Sequence, residues 1–133
     1  KMSVGITYYG HAWYAPGLSG EENWCKYGLK TQIQGKCCGP FAQTYGALYG
    51  KYSQLCGTYM YSEIQKAGFT TCFNNDTQSA IGYAETAGSD GYTEAGVWIS
   101  YIDQPTIKAI VTFAKERGLG GAFAFEISMD SMS

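Results

Sequence analysis

The sequence is poor in charge and contains no long apolar run. Only 15% of its 133 residues are charged, 9 Lys and Arg against 11 Asp and Glu, and no block of like sign occurs. A nucleic-acid partner is therefore not expected, because phosphate binding needs clustered Lys and Arg. No stretch approaches the roughly 18 apolar residues of a membrane-spanning helix, so no membrane partner is expected either. Histidine occurs once, at His11, and the cysteines never take Cys-x-x-Cys spacing. Neither a metal site nor a cofactor is expected from such a donor set.

What the chain does contain is apolar, aromatic and rich in glycine. Hydrophobic residues make up 45%, which argues against disorder. A chain of this length can bury roughly two-thirds of its unfolded surface. There are 12 Tyr, 6 Phe, 3 Trp and 18 Gly. Aromatic rings give flat apolar faces with polar edges, which suit stacking on sugar rings as well as core packing. Five cysteines, Cys25, Cys37, Cys38, Cys56 and Cys72, all fall in the middle of the chain. That clustering predicts a local disulfide framework around an irregular insert. The spacing leaves the pairing open, and the odd count leaves one thiol free or bonded to another chain. Asn75-Asp76-Thr77 is an N-glycosylation sequon. Together with the cysteines it predicts a secreted, extracellular glycoprotein. The chain opens on Lys1 without a signal peptide, which reads as a processed product or a part of something longer.

Three parts follow one another. Residues 3–14 are β-branched and aromatic without clean alternation, the pattern of a strand buried on both faces. Residues 17–96 are rich in Gly, Ser, Thr, Asn and Gln and hold every cysteine. Within them a short helix is predicted over 60–66, ended by Gly68, then a strand over 69–73 and a turn at Asn74-Asn75-Asp76. Regularity returns with a strand over 97–101. Asp103 is placed to cap the next helix, with Pro105 in its first turn. Ile107, Ile110, Val111 and Ala114 form one apolar stripe, Lys115 and Arg117 suit the last turn, and Gly118 is the stop. Residues 119–127 then read as a final buried strand.

Four motifs in this order carry a family resemblance. Gly5-Ile6-Thr7-Tyr8-Tyr9-Gly10-His11-Ala12-Trp13 resembles the Gly-x-Pro-x-Tyr-Gly-Arg-x-Phe/Trp strand of glycoside hydrolase family 18, the chitinase-type enzymes. Gly57-Thr58-Tyr59-Met60-Tyr61-Ser62-Glu63-Ile64 resembles the helix of that family's insertion domain. Tyr101-Ile102-Asp103 with Ile107-Lys108 resembles the entry to its last helix, and Lys115 to Ala122 resembles the run into its eighth strand.

The resemblance implies an α/β fold, the C-terminal portion of a (β/α)8 barrel comprising its last two strands and last helix. Residues 1–16 and 97–133 would be barrel, and 17–96 a Cys-rich α+β insertion stabilised by disulfides. A complete barrel takes about 250 residues. Two strands cannot close one, and an open strand edge attracts other chains. The missing N-terminal barrel part, or other copies of this chain, are therefore expected partners.

The resemblance also implies a ligand, chitin or N-acetylglucosamine oligosaccharides, and a reaction, hydrolysis of their β-1,4 links. In the family the acid is a Glu ending an Asp-x-x-Asp-x-Asp-x-Glu motif, and the substrate acetamide is the nucleophile. That motif is absent here, so no catalytic residue is assigned. Carried over by position, the substrate-binding residues are Tyr9, His11 where the family has arginine, Glu63, and Phe125 where it has tryptophan. The other expectation is a non-catalytic, carbohydrate-binding or extracellular structural protein.

Overall fold

The computed structural model describes residues 1–26, 50–55 and 57–130; Cys37, Cys38 and Cys56 lie outside them. Seven strands and three helices occur among the described residues. In chain order they are β1 (Val4–Thr7), β2 (Tyr9–Tyr14), α1 (Glu21–Lys26), β3 (Thr58–Met60), α2 (Tyr61–Ala67), β4 (Thr70–Asn74), β5 (Ser79–Tyr83), β6 (Val97–Tyr101), α3 (Gln104–Glu116) and β7 (Ala122–Phe125), followed by a 3-10 turn, Ile127–Met129.

The apolar stretch 3–14, expected as one strand, is two. The chain bends at Tyr8 and its halves enter different sheets. β1 pairs in parallel with β7, Val4 opposite Ala122 and Thr7 opposite Phe125. β2 joins an antiparallel sheet of order β3-β2-β6-β5-β4. β6, grouped above with the barrel portion, lies at the centre of that antiparallel sheet. Its Trp98 faces Trp13 of β2 on one side and Tyr83 of β5 on the other.

β2 does alternate once its start is placed at Tyr9. Gly10, Ala12 and Tyr14 face one core with Tyr59, Ile64, Val97 and Ile99. Trp13 faces the opposite core with Trp24, Ile81, Tyr83 and Trp98. Gly10 is dictated by contact. A Cβ there would lie 2.8 Å from Tyr101 Cβ and 2.9 Å from Ile99 Cδ1, so only glycine lets β2 close on β6.

α1 buries Trp24 completely, stacked on Tyr83 at 6.1 Å between ring centres. Its backbone is held from the sheet, because Trp98 Nε1 donates to Trp24 O at 2.8 Å and Asn74 Nδ2 donates to Cys25 O at 2.8 Å. The disulfide Cys25–Cys72 fastens the same helix to β4.

The expected helix over 60–66 forms as α2, one residue later. It ends at Gly68, whose φ of 80° is the left-handed cap that glycine tolerates best. Asp103 caps α3, accepting from Thr106 N at 2.9 Å and from Thr106 Oγ1 at 2.8 Å. The final strand departs from expectation. β7 is exposed along its whole length, with Phe123 and Phe125 each 54% accessible. Among the described residues its one strand neighbour is β1, and one helix cannot cover both faces of a two-stranded pair. For the same reason Ile107, Ile110 and Val111 of the α3 stripe are half-buried, and only Ala114 of that stripe is fully inside.

Candidate functional site

The alternation of β2 that sends Gly10 and Ala12 inward sends Tyr9, His11 and Trp13 to the other face. All three are half-buried. Their rings run in a row, 5.4 Å from Tyr9 to His11, 6.4 Å from His11 to Trp13 and 5.6 Å on to Trp98. Partial burial pushes the His11 imidazole below its ordinary value, against a backbone hydrogen bond with Gly57 that works the other way. The neutral ring is therefore favoured, a flat stacking partner and hydrogen-bonder rather than a fixed cation.

Phe125 is brought to the start of this row by the parallel pair. It stands opposite Thr7, and Tyr8 N donates to Phe125 O at 3.1 Å. On the far side of Tyr8, its carbonyl accepts from Tyr61 N at 2.9 Å, which ties α2 to the same point. The Phe125 ring is 54% exposed and the peptide bond that follows it is cis. Beside this junction a cleft of about 310 Å³ is lined by Tyr8, Tyr61, Gln65, Asp103 and Asp130. Nearby Tyr101 rings against Tyr61 at 6.2 Å, and its hydroxyl is pushed up to about 12, first by burial and then by the Asp103 charge.

Glu63 is somewhere else chemically. Its side chain is only 2% exposed. Oε1 accepts from the Tyr52 and Ser53 amides, and Oε2 accepts from Met60 N at 2.7 Å. The carboxylate thus clasps residues 50–55 to the start of α2 and presents no oxygen to solvent. The resemblance gives this residue to sugar hydroxyls, whereas the geometry gives it to backbone donors. Part of that signal was in the sequence, because Glu three residues after a helix start is capping-box spacing.

The structure thus places Tyr9 and His11 in one ring row on β2 and Phe125 opposite Thr7 at the end of β1, while Glu63 is buried among backbone donors. Sequence reasoning missed the pairing of Trp13 with Trp98, which depends on strand register. It also missed the cleft at Tyr8, Tyr61 and Asp130, whose members are 122 positions apart at the extremes. A larger groove, about 970 Å³, runs along α3 between Val4, Phe73, Pro105, Ile110 and Phe113. Its lining is mostly apolar and suits packing more than chemistry. Among the described residues no group of three or more His, Cys, Asp or Glu is placed to hold a metal ion.

The model of glycosyl hydrolases family 18 matches residues 1–130. A chitinase-like protein, Idgf4, of Glossina morsitans morsitans is 29% identical over 140 residues, covering 98% of this chain and 29% of the relative. The class V chitinase CHIT5 of Lotus japonicus is 28% identical over 130 residues, covering 98% of this chain and 26% of the relative. The chain thus spans under a third of the length of these relatives. Among solved structures, a class V chitinase of Nicotiana tobaccum in complex with NAG4 superposes with a TM-score of 0.59 at 22% identity, over 97% of this chain and 30% of that one. Matched along nearly its whole length by one family model, the chain belongs to family 18 of the glycosyl hydrolases.

Proposed function

We propose that this chain is part of a secreted chitinase-type protein and forms one wall of a groove for chitin or chito-oligosaccharides. In this reading β1 and β7 are adjoining staves of a (β/α)8 barrel completed by a longer chain, and the antiparallel sheet with α1 and α2 is the lobe standing beside the groove. The observation that carries it is the half-buried ring row Tyr9, His11 and Trp13 along β2, with the exposed Phe125 held opposite Thr7 just before that row begins. Exposed aromatic faces are costly in water unless something apolar covers them, and the flat face of a sugar ring is such a cover. The solved neighbour above carries an N-acetylglucosamine oligomer, which is the ligand class proposed here.

Hydrolysis falls outside this chain. No Asp-x-x-Asp-x-Asp-x-Glu sequence occurs in it, so the acid of the substrate-assisted reaction would come from the remaining part of the longer protein. A second reading, a non-catalytic chitinase-like binder, is favoured by two residues. His11 replaces an arginine, and Phe125 replaces a larger tryptophan with an indole N–H. Both substitutions weaken sugar contacts without abolishing the stacking surface.

The test is a titration of the 133-residue chain with the N-acetylglucosamine tetramer, followed by tryptophan fluorescence and calorimetry. Tyr9→Ala and Phe125→Ala should each weaken binding by about 3- to 10-fold, the equivalent of roughly 0.5–1.5 kcal/mol of lost stacking. No binding by the folded chain, or equal binding by wild type and both variants, overturns the groove-wall reading. Release of N-acetylglucosamine from chitin by the longer protein then separates the enzyme from the binder.

A further inference from the structure

We infer that Asn75 carries an N-linked oligosaccharide, at the tip of the β4–β5 hairpin. Asn75-Asp76-Thr77 is the one Asn-x-Ser/Thr triplet in the chain. It falls at the turn between two paired strands, where Asn75, Asp76, Thr77 and Gln78 are all exposed. A bulky polar group there displaces no core residue.

The two neighbouring asparagines divide their work. Asn74 is 7% exposed and fully engaged. Its Oδ1 accepts from Asp76 N at 2.9 Å and Thr77 N at 3.0 Å, and its Nδ2 donates to Cys25 O. Asn75 contributes only its backbone carbonyl, which accepts from Gln78 Nε2 at 2.7 Å, and its side-chain amide makes no hydrogen bond among the described residues. The turn is thus built without the Asn75 amide, which stays at the surface. The same strand carries Cys72, whose bond to Cys25 fits an oxidising compartment, where N-glycosylation also takes place.

The step is a transfer. Asn75 Nδ2 bonds to C1 of an oligosaccharide carried on a lipid pyrophosphate. The C1–O bond breaks, the pyrophosphate leaves with the electron pair, and the amide gives up one proton. No oxidant or reductant is required.

This inference rests on the secreted reading of the previous section, and the experiment separates the two. The full chain is directed through the secretory route of eukaryotic cells behind a heterologous leader. The peptide holding Asn75 is read by mass spectrometry in both the retained and the released protein. The expected result is a mass excess that peptide-N-glycosidase removes, leaving Asp at 75. The excess should vanish in Asn75→Gln and in Thr77→Ala and persist in Thr77→Ser. Unmodified Asn75 in both pools refutes the site, whatever compartment the natural protein occupies. A modified chain whose natural form is found only inside cells would instead refute the secreted reading.

Discussion

Replacing Glu63 by alanine should unfold the lobe far more readily while leaving its surface chemistry untouched. Three backbone amides, from Tyr52, Ser53 and Met60, share this one carboxylate. Each intramolecular hydrogen bond is worth about 1 kcal/mol net, and stranding a buried donor costs about 1–3 kcal/mol. All three amides are partly buried, so some would be rescued by water in the variant. The expected loss is therefore about 3–4 kcal/mol, a large share of the ~5–15 kcal/mol that holds a typical domain together. At this chain length that corresponds to a fall in Tm of about 10–15 °C. Glu63→Gln should cost roughly half as much, because the amide oxygen serves one side of the clasp while its NH₂ group confronts a backbone N–H on the other. Urea unfolding gives the energies, and hydrogen exchange at residues 52, 53 and 60 gives the location. An alanine variant within about 0.5 kcal/mol of wild type, with those amides still protected, would refute the clasp. A glutamate that served sugar hydroxyls would produce the reverse pattern, unchanged melting with weaker binding of the tetramer.

Two more outcomes are expected. The sole histidine should titrate below 6.5, because burial disfavours its charged form. The unfolded chain then takes up that proton first, so stability from His11 is present above about 6.5 and declines as pH falls through that value, levelling off below the folded pKa. An NMR titration of the His11 ring checks this, and a midpoint at or above 6.5 contradicts it. The Cys25–Cys72 bond closes a separation of 47 residues, and loop-closure entropy for that span gives about 4 kcal/mol. Cys25→Ser combined with Cys72→Ser should lower the urea midpoint accordingly, and an unshifted midpoint would show that α1 is held by Trp24 and Asn74 alone.

Local signals in the sequence proved readable and long-range ones did not. Asp103, Pro105 and Gly68 announce the ends of α3 and α2 by chemistry that acts within a few residues, and the structure places caps there. The break at Tyr8 has no such marker. Residues on both sides are β-branched or aromatic, and which half pairs with β7 and which with β6 is decided by strands 83 or more positions away. The burial of β7 was misjudged because an apolar sequence reports what a strand would cover, not whether a cover is present. Tyr9, His11 and Phe125 were named through motif position; the structure puts Tyr9 and His11 in one ring row and Phe125 opposite Thr7. The true partners of Glu63 were hidden, because two of them lie on a loop ten and eleven residues upstream with no sequence pattern linking them to it.

The pairing of β2 with β6 has a consequence for how this protein can vary. The chain leaves the parallel strands along β2 and comes back along β6, and the last rungs between them are Trp13 with Trp98 and Tyr14 with Val97. Both ends of the intervening stretch are therefore fixed by one pair of strands, and among the described residues β3 on β2 and Tyr61 N on Tyr8 O add further ties within it. Changes of length between these ties would leave the Trp13–Trp98 rung, and the alignment of β1 on β7, as they are. Variation there would then come at little expense to the strands that support it.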